Sequence, residues 1–269
     1  MKSGIQFTKA VATGNDFIII DNRSGSAGSL KAVAQKLCDR RRIGADGLLV
    51  IETSKKADFK MRIFNRDGSE AEMCGNGSRC AALYASRRKL ASGEMTIETI
   101  AGVLKATVKG DVVKVMLTEP KDIRWNFCLM IHKCPYKLSF VNTGVPHVVH
   151  FVDDLDKIDV KNIGSYMRNH GEFAPEGTNA DFVKIVDRKN IKVRTYERGV
   201  EDETLACGTG SVASALIAAE AEKMTSPVTV ETRSGEKLRV YFDKVRGNFK
   251  NVYLEGKAEL MYEGVTYEL

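Results

Sequence analysis

The stretch SEAEMCGNGSRCAALYA, residues 69–85, sets Cys74 directly before a Gly-Asn-Gly turn and then runs into an alanine-rich segment. EDETLACGTGSVASALIAA, residues 201–219, does the same with Cys207, which lies 133 positions after Cys74. Laid over one another, CGNGSRCAALYA and CGTGSVASALIA share Cys, Gly, Gly, Ser, Ala, Leu and the closing Ala, and at the same offset MTIETIAG (95–102) matches VTVETRSG (228–235). A chance motif would not hold register through a helix and into the next strand, so the chain reads as an internal duplication. Upstream, after a one-residue shift, RIFNRDG (62–68) matches RTYERGV (194–200), placing Asn65 against Glu197 and Arg66 against Arg198.

The repeated unit is a strand, a Gly-containing turn, a Cys-Gly-x-Gly helix start, a helix, and alternating strands such as VLKATVKGDVVKVML. Two such units predict an α+β fold of two pseudo-symmetric α/β domains, each a strand-rich sheet around a central helix, with the active site in the cleft between them. The expected boundaries are 1–120 for the half carrying Cys74, joined by a final strand at about 256–269, and 121–255 for the half carrying Cys207. FIIID, GLLVIETS, KMRIF, YKLSFVNTG, HVVHFV, FVKIV and IKVRTYE read as further short strands. One more helix is expected over SLKAVAQKLCDRR, with Ser29 as its cap and Cys38 on it as a buried small hydrophobe.

The 269 residues are 43% hydrophobic and 28% charged, enough to bury proper cores. A net charge of +6 is spread along the chain, and with one Trp and no recognisable binding motif the sequence does not suit nucleic acid. The mild positive balance suits an acidic metabolite. FIII, near the start, is too short for a signal peptide's apolar region, and no later segment is long enough to span a membrane. Six cysteines in a chain this long do not make a secreted disulfide framework, so the expected home is the cytoplasm, with no membrane association.

The first turn of a helix leaves backbone N–H groups without partners and carries partial positive charge. Glycines let that backbone close around a carboxylate. The same field is expected to lower a thiol's pKa, turning a cysteine there into a base or nucleophile. One such cysteine could be a nucleophile, a redox thiol or simply structural. Two related by pseudo-symmetry favour two-base proton transfer, in which one face of a carbon loses a proton and the other gains one. Cys74 and Cys80, five residues apart in between and with no matching His pair, make a poor metal site, and none is expected.

On FNRDGSEAEMCGNGSRC and YERGVEDETLACGTGSVAS the sequence resembles the diaminopimelate epimerases, from ATGNDF near the start to the closing strands. The resemblance implies a cofactor-independent isomerase, free of pyridoxal phosphate, acting in lysine and peptidoglycan-precursor synthesis. It implies that Cys74 and Cys207 interconvert LL- and meso-diaminopimelate as one thiolate and one thiol, in a homodimer. Asn15, Asn65 and Asn179 match the family's substrate-contacting asparagines. Gly75 with Asn76, and Gly208 with Thr209, match the donors around the reacting carboxylate, while Glu197 and Arg198 match the site's Glu-Arg pair, the arginine gripping the distal carboxylate. His147 and Glu197 match positions that tune the cysteine pKa values; His132, His150 and His170 read as structural.

Two positions depart from the family pattern. Val145 stands in TGVPH where many members have Asn, and Gly47 in IGADG where some have Gln. The rival reading within the fold is a proline or hydroxyproline racemase, whose motifs resemble MCGHG and PCGTG rather than the Asn76-containing turn here. A non-catalytic relative and a thiol–disulfide protein are the rivals from other classes. Retention of both cysteines argues against the first, and their wide spacing against the second.

Overall fold

The computed structural model describes residues 4–266. It divides into two compact units, one formed by the chain up to Met116 together with the residues from Gly256 onward, the other by Leu117–Glu255.

In the first unit β1 (Gln6–Ala12) and β2 (Asn15–Asp21) form an antiparallel hairpin. Helix α1 (Leu30–Leu37) then carries the chain to β3 (Gly47–Glu52), which lies parallel to β2 with Phe17 opposite Gly47. β4 (Phe59–Asn65) runs antiparallel to β3, and the short β5 (Glu70–Ala71) folds back on β4. After α2 (Gly75–Arg87), β6 (Glu94–Thr99) returns parallel to β4, followed by antiparallel β7 (Gly102–Lys109) and β8 (Val112–Met116). The last strand of the chain, Glu259–Val265, pairs with β1.

The second unit repeats this order. β9 (Lys121–Ile131), β10 (Cys134–Asn142) and β11 (Pro146–Phe151) are successive antiparallel strands. Helix α3 (Val160–Arg168) leads to β12 (Asn179–Ile185), parallel to β11 with His147 opposite Asn179. β13 (Asn190–Glu197), the short β14 (Asp202–Thr204), α4 (Gly208–Ala221) and β15 (Val228–Glu231) follow, with β15 parallel to β13 as β6 is to β4. β16 (Lys237–Val245) and β17 (Asn248–Lys257) complete it. The duplication read from the cysteine motifs is therefore a duplication of connectivity as well.

The apolar runs FIIID and GLLVI are unbroken because both faces of their sheet are covered. Phe17, Ile19, Leu49 and Ile51 pack with α2 residues Cys80, Ala81, Ala82 and Leu83, whereas Ile18, Ile20, Leu48 and Val50 pack with Leu30, Val33, Ala34 and Leu37 of α1. The alternation follows the two-residue period of a strand. The two kinds of helix differ accordingly. α1 buries one stripe, as an outer helix does; α2 is buried continuously from Gly75 to Ala85, and α4 from Gly210 to Ala219. Small residues in α2 and α4 are what let strands approach from every side.

Two local expectations are corrected. Helix α1 stops at Leu37, and Cys38 is its C-cap rather than a helical residue, with its backbone N–H on the Ala34 carbonyl. Cys38 is fully buried, and burial pushes its thiol up to about 12. Helix α3 was not anticipated, although Asp159 caps it by accepting from the Asn162 backbone N–H (3.0 Å) and Val160, Ile163 and Met167 supply its buried side. Gly164 in its middle weakens the helical signal, yet packing requires it, since a Cβ there would lie 2.5 Å from the Tyr196 Cβ on β13.

Gly164→Ala gains about 1 kcal/mol of helix propensity and loses about 1–3 kcal/mol to overpacking against a backbone-fixed atom. Urea denaturation should show a net loss of stability. A gain would mean that α3 is free to move off β13.

Candidate active site

Cys74 is the N-cap of α2 and Cys207 the N-cap of α4, both with extended backbones (φ −144° and −122°). Each sulfur accepts the backbone N–H three residues on, Gly77 in one case and Gly210 in the other, both at 3.4 Å. A thiol thus occupies the place usually taken by a Ser, Thr, Asp or Asn cap and is aimed across the helix start. Gly77 and Gly210 are absent from the left-handed backbone positions, so their need is for space rather than for unusual dihedrals. A Cβ on Gly77 would come within 3.0 Å of a Leu49 methyl, and one on Gly210 within 2.4 Å of the Asp181 carboxylate.

In the first unit Asn76 and Asn15 are brought together: Asn76 Nδ2 donates to Asn15 Oδ1 (2.6 Å), and Asn15 Nδ2 donates to Asp46 (3.1 Å). The direction of this chain is fixed from its far end by Arg79, a fully buried residue one turn along α2. Its guanidinium donates to Asn76 Oδ1 (2.8 Å) and to the Thr13 hydroxyl (2.5 Å). Arginine has no acceptor, so Asn76 must turn its oxygen to Arg79 and its NH₂ outward, and Asn15 follows. The amide chain therefore runs in one direction, from Arg79 through Asn76 and Asn15 to Asp46. Asn65 stands apart from this chain, its side-chain amide turned to Ser69 in its own turn (3.0 Å). Gly47 pairs with Asn65 across β3 and β4, and a Cβ there would meet the Phe64 carbonyl oxygen at 3.0 Å, so the glycine fits a crowded backbone.

In the second unit Asn179 ties two segments together. Its Nδ2 donates to the Pro146 carbonyl (2.9 Å) and its Oδ1 accepts the Arg198 backbone N–H (2.8 Å). Arg198 is half-buried, with its guanidinium on the Glu176 carbonyl (3.2 Å). His147, on β11, is fully buried between Asp181 Oδ2 (2.8 Å from Nδ1) and the Thr209 hydroxyl (2.9 Å from Nε2). The Thr209 hydroxyl in turn lies 3.4 Å from Cys207 Sγ. Glu197, at the end of β13, accepts from the Thr204 hydroxyl and adds its charge beside Cys207.

These surroundings overturn the expectation that the helix field lowers the Cys207 pKa. The thiol is pushed well above its ordinary value, first by burial and then by the neighbouring carboxylates of Glu197 and Asp181, which outweigh the Thr209 hydroxyl and the Gly210 N–H. Burial also raises Glu197, against the hydrogen bond from Thr204. Cys80 is a core residue whose thiol burial pushes up, and Cys128 and Cys134 lie exposed on β9 and β10. Among the described residues no group of His, Cys, Asp and Glu is arranged to hold a metal, and no helix is long and apolar enough to cross a membrane.

Sequence reasoning missed Arg79, Thr13 and Asp181. Arg79 had a signal, a charged residue inside an otherwise small and apolar helix. Asp181 lies two residues from Asn179 on the same strand face, but its partner Thr195 comes from another strand.

The fold is shared with solved structures of low sequence identity. A Bacillus anthracis phenazine biosynthesis protein of the PhzF family matches with a TM-score of 0.77 at 20% identity, covering 99% of both chains. An Agrobacterium vitis hydroxyproline epimerase matches with a TM-score of 0.73 at 14% identity, covering 98% of this chain and 92% of that one. The class is thus the two-unit α+β fold of the PhzF and proline racemase-like proteins. Residues 7–123 and 139–261 match the family described as diaminopimelate epimerase. The diaminopimelate epimerase of Aquifex aeolicus is 42% identical over 274 residues, covering 97% of each chain, and that of Methanocella arvoryzae 41% identical over 275, covering 97% of this chain and 96% of that one. The chain belongs to the diaminopimelate epimerase family and is an isomerase acting on a small molecule.

Arg79→Met removes the donor that Asn76 and Thr13 share in the interior. Leaving such acceptors unpaired costs about 1–3 kcal/mol, so chemical denaturation should report a loss in that range. Unchanged stability would show that the amide chain holds its direction without Arg79.

Proposed function

We propose that this chain interconverts LL- and meso-2,6-diaminopimelate by two-base proton transfer, supplying lysine and peptidoglycan-precursor synthesis. The observation that carries the reading is the equivalence of Cys74 and Cys207, each an N-cap on a buried helix at the same point of a repeated unit, within a family named for this reaction. One sulfur, as thiolate, takes the α-proton, and the other, as thiol, returns a proton to the opposite face. The N–H groups of the two helix starts, with Asn76 and Thr209 beside them, offer donors to the α-carboxylate as charge builds on the α-carbon. Asn15, which accepts from the Asn76 amide, is assigned a place beside it in the substrate site. Glu197 exchanges a proton with Cys207 between turnovers.

The distal carboxylate is assigned to Arg198, whose planar fork can bind it in bidentate fashion. Asn179 fixes the backbone on which that arginine stands. Asn65, in the corresponding turn of the first unit, is assigned a further amide contact to substrate.

Two sets of variants test this. Cys74→Ala and Cys207→Ala should each lower epimerisation by at least about 10²-fold, read as α-proton exchange of LL-diaminopimelate in deuterium oxide by NMR. Near-normal turnover by either would remove the two-base mechanism. Arg198→Leu should weaken kcat/KM by about 1.5–3 kcal/mol with little change in the unfolding midpoint. Faster turnover of proline than of diaminopimelate would instead favour the racemase reading.

A further inference from the structure

The Asp181–His147–Thr209–Cys207 chain lies wholly within the second unit, and its hydrogen-bond directions can be counted. Asp181 is buried and its carboxylate is engaged at both oxygens: Oδ1 accepts the Thr195 hydroxyl (2.7 Å) and Oδ2 faces His147 Nδ1. A carboxylate can only accept, so Nδ1 carries a proton. In a neutral imidazole Nε2 is then a lone pair, and the Thr209 hydroxyl must give it its hydrogen. Thr209 is left facing Cys207 with oxygen lone pairs alone, which suits an S–H and opposes a thiolate. The Thr209 main chain cannot easily turn away, because the Thr143 hydroxyl holds its carbonyl (3.2 Å).

We propose that Asp181 is a positioning residue which, through the His147 tautomer and the Thr209 hydroxyl, holds resting Cys207 as the neutral thiol, the proton donor of the pair. The inference rests on the proposed role of Cys207 in proton transfer and names its resting state. The groups bearing on that sulfur agree with it. Glu197 and Asp181 both add negative charge beside Cys207, and burial adds to their effect. Gly210 belongs to the same device, since any side chain there would collide with Asp181 Oδ1.

An Asn at position 181 can donate to Nδ1 and shift the ring proton to Nε2. That N–H then donates to the Thr209 oxygen, and the hydroxyl hydrogen swings to the sulfur and stabilises the thiolate. Removing the Asp181 charge also favours the thiolate, so the test must separate a field effect from the directed chain.

Two readouts do so without substrate, and they stand even if the chain shows no epimerase activity. The first is the ¹⁵N spectrum of the His147 ring at neutral pH, assigned by loss of its signals in His147→Gln. A protonated Nδ1 and bare Nε2 are expected in the wild-type protein; an Nε2–H tautomer or an imidazolium overturns the proposal, whatever the variants do. The second is the rate of iodoacetamide alkylation at Cys207, located by peptide mass spectrometry. Asp181→Asn should speed it about tenfold, the change in thiolate fraction given by one pKa unit. Adding Thr209→Val should abolish most of that gain, while adding Thr209→Ser should keep it. A gain that survives Thr209→Val in full is a field effect alone and overturns the chain.

Discussion

Everything else in this protein follows from burying the start of a helix with a sulfur as its cap. A helix enclosed by strands on all sides cannot leave its first N–H groups to water, and a cap must come from the chain itself. Here the Cys74 and Cys207 sulfurs take the Gly77 and Gly210 amides, which ties each sulfur to the start of a buried helix. The same enclosure explains why α2 and α4 are rich in Gly, Ala and Ser along their buried stretches.

The two helix starts have the same backbone design but different electrostatics. Around Asn76 the network begins at a buried cation and presents amide donors. Around Cys207 it begins at the buried Asp181 carboxyl and ends at a thiol whose pKa burial and two neighbouring carboxylates raise. A duplicated scaffold thus surrounds its two equivalent cysteines with unlike networks. The difference is made by side chains of neighbouring strands rather than by the repeated motif.

That difference also explains which parts of the site could be read in advance. The cysteines sit inside the repeated motif, where register pairs them, and the roles expected of Asn76, Thr209, Glu197 and Arg198 came with the family resemblance. Arg79 was visible in the same stretch, but its task depends on Thr13 at the β1–β2 turn. Asp181 matters because β12 places it under Gly210 and beside His147, and neither neighbour is near it in sequence. The lowered cysteine pKa was expected from the helix field alone. Desolvation and two carboxylates from other strands reversed it at Cys207.

The sequence by itself determined the duplication, the α+β class, the helix starts and the short Val/Ile-rich strands, because each rests on local composition or on a motif repeated in register. It also determined helix α1, through Ser29 and its apolar spacing, though not the end of that helix at Leu37. Only the tertiary structure decided what surrounds each sulfur. Charges act through space and burial strengthens them, so Glu197 and Asp181, brought in from β13 and β12, bear on one thiol that neither adjoins in sequence. Helix α3 shows the same limit in packing: Gly164 looks like a helix breaker until β13 brings Tyr196 against it.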